Sequence, residues 1–119
     1  MTFQLAACAE MLWRNKPIDW RASRLKEMGF GVGLWNWPAW DLAKLEATGA
    51  TFTIMNGYLE GRLADDAGAD LLLASARETA QVGKRLGVPV YRLFGLDPAE
   101  GPLTTFSIAN DVAKYFAII

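Results

Sequence analysis

Apolar and polar positions follow two rhythms along this chain, and the switches between them fall on glycines. Phe3-Gln4-Leu5-Ala6-Ala7-Cys8 reads as a first strand, small and poor in β-branched residues at its end. Ala9 to Lys16 reads as a loop. Pro17 and Asp19 signal a helix start, with Asp19 as the cap, and Trp20 to Met28 continue it with Trp20, Leu25 and Met28 as an approximate apolar stripe. Gly31 to Leu34 or Trp35 is the second strand, and Asn36-Trp37-Pro38-Ala39-Trp40 the loop beyond it. Asp41 caps a short helix to Thr48 with Leu42 and Leu45 facing inward; Thr51 to Met55 is the third strand, closed by Asn56-Gly57. Tyr58 to Gly68 reads as a polar loop. Ala69 to Leu86 is the strongest helix, its stripe formed by Leu72, Ala76, Thr79, Gly83 and Leu86, and Val90 to Phe94 is the fourth strand.

Three of these helices stop on a glycine that is followed at once by a short apolar run: Gly29, Gly49 and Gly87. Glycine accepts the left-handed conformation that ends a helix without a Cβ clash. A repeated helix–Gly–strand unit with one more strand ahead of it predicts an α/β fold of four parallel strands alternating with helices, in sequential order. Gly95 to Pro102 is turn-rich. Leu103 to Ile119 predicts a helical tail behind a Ser107 cap, so the chain divides into a β/α unit over residues 1–102 and a tail over 103–119.

Composition narrows the chemistry. Of 119 residues, 52% are hydrophobic and 21% charged, which suits one packed domain rather than a disordered segment. A net charge of −1 gives no electrostatic reason to expect nucleic acid or an anionic membrane as partner. No apolar run is long enough to span a bilayer and no signal-peptide pattern opens the chain, so a cytoplasmic location is expected. Histidine is absent and Cys8 stands alone, which removes Ser-His and Cys-His catalysis, histidine-based zinc chemistry and an intrachain disulfide.

The candidate chemistry lies at the ends of the expected strands. All five tryptophans fall in the first forty residues, either as packing or as an apolar wall, with Trp13, Trp35 and Trp37 placed for the wall. Asn56 follows the third strand. Arg92 sits inside the fourth, where it either enters a pocket and holds an anion or lies solvated at a sheet edge. Glu10 and Glu60 are acids on loops near strand ends, and Asp65-Asp66 reads as a metal pair or, more simply, a solvated loop.

The run Ala7-Cys8-Ala9-Glu10-Met11-Leu12-Trp13, then Gly29-Phe30-Gly31-Val32, then Thr53-Ile54-Met55-Asn56-Gly57, then the long helix to Arg85-Leu86-Gly87, resembles the hydroxypyruvate isomerase family of xylose-isomerase-like TIM barrels. The resemblance covers residues 3–96 in the order of strands 1 to 4, while Leu103 to Ile119 departs from it. It implies a partial TIM barrel, about half of one, since a complete barrel takes roughly 250 residues. It also implies aldose–ketose isomerisation through an enediol, with Mg²⁺ or Mn²⁺ in the complete fold. The family's proton-moving and metal-holding acids come from strands 5 to 8 and have no match here. The resemblance therefore gives this chain no catalytic or metal residue of its own, and the chain is expected to be truncated and inactive alone. Glu10, Trp13, Trp35, Trp37, Asn56 and Arg92 remain as candidate binding residues for a small-molecule substrate. A half barrel that self-associates as a homo-oligomer and a non-catalytic binding module are the alternatives.

Overall fold

The computed structural model describes residues 3–62, 65–92 and 117. It is an α/β structure in the order β1 (Ala6–Cys8), α1 (Ile18–Glu27), β2 (Gly31–Leu34), α2 (Leu42–Ala47), β3 (Phe52–Asn56), α3 (Asp66–Leu86) and β4 (Val90–Arg92), with short 3₁₀ turns at Ala9–Met11 and Trp37–Ala39. The four strands form one parallel sheet in the order β1-β2-β3-β4. The expectation of sequential parallel neighbours is met. The Gly95–Pro102 turn region, the Leu103–Ile119 tail but for Ala117, and the last two residues expected in the fourth strand lie outside the described residues.

Local sequence explains the boundaries. Gly29, Gly49 and Gly87 all have positive φ, at 81°, 64° and 72°. Asp41 caps α2 as expected, its Oδ1 accepting from the Ala43 and Lys44 amides at 3.0 and 3.2 Å. Two helix starts differ from expectation. α1 begins at Ile18 behind Pro17, and Asp19 makes no capping bond; it lies in the first turn, where its charge meets the positive end of the helix dipole. α3 begins at Asp66, three residues early, because Asp65 caps it through a 2.6 Å bond from the Gly68 amide. That amide first, and the Arg62 guanidinium second, hold the Asp65 carboxyl below its ordinary range.

The α1 stripe is also corrected. Ile18, Arg21, Ala22 and Leu25 are the buried positions, whereas Trp20 and Met28 are exposed. The α3 stripe is as expected, with Leu72, Ala76, Thr79 and Gly83 buried.

The helices lie on one face of the sheet. Ala7, Val32, Leu34, Phe52, Met55 and Tyr91 point into that core, joined by Leu25, Leu45 and Val82. Tyr91 reaches Gly83, where a Cβ would collide with the phenol, and burial raises the pKa of its hydroxyl. The register passes from Val32↔Phe52 to Gly33↔Ile54, so Thr53 is an extra residue in β3. The bulge turns Thr53 and Ile54 to the opposite face together, before Met55 returns to the core. On that opposite face a Cβ at Gly31 would lie 2.5 Å from Thr53 Cγ2 and one at Gly33 3.3 Å from Ile54 Cγ2. Ala6, Cys8, Asn56, Val90 and Arg92 complete this face by alternation. Among the described residues no helix packs on it, and Val90 is 50% exposed.

Candidate functional site

Parallel strands all deliver their carboxyl ends to one edge of the sheet, and the open face is concave there. Cys8, Leu34, Asn56 and Arg92, the last residues of the four strands, line a cavity of about 310 Å³, with Gly33 and Ile54 on its floor and Trp35 and Met11 at its rim. Small lining residues, Ala6, Ala7, Cys8 and Gly33, leave the depression open; a larger side chain at Gly33 would meet Ile54. Asn56 and Arg92 are register partners on adjacent strands, so an amide and a guanidinium stand side by side at the mouth. Arg92 is exposed and pairs with no carboxylate among the described residues. A second hollow shares Trp35 and Asn56 and adds Asn36, Tyr58 and Leu59.

The six candidates separate into two groups. Trp35, Asn56 and Arg92 line the cavity. Glu10, Trp13 and Trp37 do not. Trp13 packs half-buried against the core and makes an edge-to-face pair with Trp20, centroids 5.7 Å apart. Trp37 packs against the core and its Nε1 donates to the buried Thr79 Oγ1 at 3.3 Å.

Glu10 is 8% exposed and is directed into protein. Its Oε2 accepts from the Trp35 amide at 2.6 Å; its Oε1 accepts from the Asn36 amide at 2.9 Å and from Trp40 Nε1 at 2.6 Å. The Cys8 thiol lies 3.9 Å from Oε2. A carboxylate with three N–H donors is a satisfied buried charge, and it ties the loop after β1 to the loop after β2.

Comparison with protein families, curated proteins and solved structures returns no match.

Arg21 and Trp40 were not singled out by sequence reasoning. Arg21 is buried, donates from Nε to the Lys16 carbonyl at 2.7 Å and from Nη2 to the Arg14 carbonyl at 2.9 Å, and lies over the Trp40 ring at 5.8 Å. The signal was present: Arg21 stands between Ile18 and Leu25 in the true helical stripe, where an arginine must find buried acceptors.

The donor set at the cavity does not fit a divalent cation. Its side chains offer an amide, a thiol and a guanidinium, and no group of three metal-ligating side chains occurs among the described residues. The oxygens of the one nearby carboxylate, Glu10, are engaged by N–H donors. Asp65, half of the acidic pair, is spent on its helix cap and on Arg62. No described helix is long and apolar enough to cross a membrane.

Proposed function

We propose that these four βα units are the N-terminal half of a barrel of the hydroxypyruvate isomerase type, and that the cavity at its strand ends binds a small hydroxy or keto acid. The observation that carries the reading is the convergence of all four strand ends on one cavity with a cation and an amide side by side. A βα barrel places its ligand at that end. Arg92 would take the carboxylate of the ligand, Asn56 a hydroxyl or carbonyl oxygen, and Trp35 the apolar side. The open face, carrying small residues and a half-exposed valine, is what the inner wall of such a barrel looks like when the opposing strands are absent.

The described residues bring no base to the cavity for enediol chemistry, so the activity proposed for this chain by itself is binding rather than turnover. The metal that the resemblance implies finds no ligand set among the described residues and enters no step.

Glycerate, a transparent hydroxy acid, tests the site. Titration is expected to change tryptophan emission through Trp35, and Arg92→Ala to weaken the half-saturation about tenfold or more, the effect of losing one charge-assisted contact. An unchanged titration in the variant would remove Arg92 from the site.

The exposed face also favours a second copy of the chain as partner. Two copies supply the eight strands of a closed barrel and leave no edge at β1 or β4. Light scattering over a micromolar concentration series is expected to show twice the 13.1 kDa chain mass, and a monomer throughout would exclude the pairing.

A further inference from the structure

The costliest arrangement among the described residues lies beside the cavity and outside it. Glu10 is a buried carboxylate, Arg21 a buried guanidinium, and the indole of Trp40 stands between them, donating to the first and facing the second. The loop that carries Glu10 contains Trp13 at a φ of +45°, the one positive value among described residues other than glycine. Arg21 holds that strained loop by its two carbonyl contacts at Arg14 and Lys16, and the Lys16 amide closes a turn on the Trp13 carbonyl at 2.8 Å. Strain and buried charge persist only where the surroundings over-determine them, and they gather where a geometry is used.

That geometry has one output at the cavity. Two of the three N–H donors to Glu10 are the backbone amides of Trp35 and Asn36, the residues that follow β2. Trp35 is 51% exposed and forms the rim, so its own packing does not fix it. We propose that Glu10 is a positioning residue: its carboxylate fixes the Trp35–Asn36 backbone and thereby sets the indole against which a ligand rests. Trp40 and Arg21 hold the carboxylate in turn. For the binding arm this rests on the ligand site proposed above; the clamp stands without it.

Glutamine does not replace this carboxylate. Oε2 faces one N–H and Oε1 faces two, so either orientation of the amide turns its NH₂ toward a donor. In the full-length ¹⁵N-labelled chain, Glu10→Gln is therefore expected to raise hydrogen exchange at the Trp35 and Asn36 amides and the Trp40 indole by about tenfold or more, and to shift the Trp40 indole resonance. The amides of Leu72 and Ala76 in α3 keep their protection. Glycerate half-saturation weakens about tenfold, although Glu10 touches no ligand. Wild-type exchange at Trp35 and Asn36 in the variant overturns the proposal. So does an equal loss of protection in α3, which would mark Glu10 as a general stabiliser. Should Glu10→Gln fail to fold, Trp40→Phe removes one donor without stranding a charge; weaker glycerate binding with α3 intact supports the clamp, and wild-type affinity overturns it. If the unmodified chain does not respond to glycerate, the ligand site falls and the exchange data alone decide the clamp.

Discussion

Gly61→Ala is expected to destabilise the protein by roughly 3 kcal/mol or more, a drop in melting temperature on the order of 10–20 °C. Gly61 has a φ of +96°, outside the range that other residues adopt readily. A Cβ there would fall on the backbone of α3: on the Leu72 amide nitrogen, 2.5 Å from the Gly68 carbonyl oxygen and 2.6 Å from Leu72 Cα. No rotamer change relieves a clash with main chain. Either the first turns of α3 move off, taking the buried Leu72 and Leu73 with them, or the loop leaves its seat and the Arg62 amide loses its 3.0 Å bond to the Gly68 carbonyl. Gly87→Ala is the control. It too has positive φ, but nothing lies within 4 Å of its Cβ position, so only backbone strain of roughly 1 kcal/mol applies. Thermal melts of the two variants side by side check the difference; equal melts would show that the Gly61 loop is not packed against the helix.

The second large effect is expected at Leu45. α2 is six residues long, too short to hold itself, and Leu45 is its one buried side chain, fully so. Beyond the half-buried Leu42, which packs at the edge of the core, its ties include a 3.2 Å bond from Lys26 Nζ to the Thr48 carbonyl and an exposed pair of Arg85 with Glu46, contacts of small worth in water. Leu45→Ala is therefore expected to cost about 2–5 kcal/mol, read as a lower denaturant midpoint with an unchanged slope. Lys44→Ala, one residue away and exposed, is expected to stay within about 0.5 kcal/mol. Because Asp41 caps α2 directly after Trp40, loosening α2 also loosens the indole that grips Glu10.

The sheet was legible in the sequence because local chemistry decides it. Each helix that stops on Gly29, Gly49 or Gly87 is followed by a strand two or three residues on, and short connections leave neighbouring parallel strands as the simple outcome. Asn56 could be placed just beyond its strand, and Arg92 within the fourth, for the same reason. Which face each side chain takes could not. The extra residue Thr53 changes the phase inside β3 and gives no local signal, since Thr51, Phe52, Thr53 and Ile54 alternate acceptably without it. The surroundings of Glu10 were not legible: its N–H partners lie 25 to 30 residues away, and from the chain alone a loop acid held by such partners is indistinguishable from one that faces a ligand. The stripe of α1 went wrong because tryptophan at position 20 outweighed arginine at 21, yet arginine, given carbonyl acceptors, is the one that is buried.

The extra residue in β3 makes that strand speak in two phases. Upstream of it, the even position Phe52 belongs to the core; downstream, the odd position Met55 does. A strand of uniform alternation that buried Phe52 would also turn Asn56 into the core and set Met55 on the open face, away from the place each holds here. One inserted residue removes that conflict. The half of the strand that anchors the fold and the half that faces the cavity are thereby free to drift separately, with Thr53 as the joint between two otherwise incompatible reading frames of the same backbone.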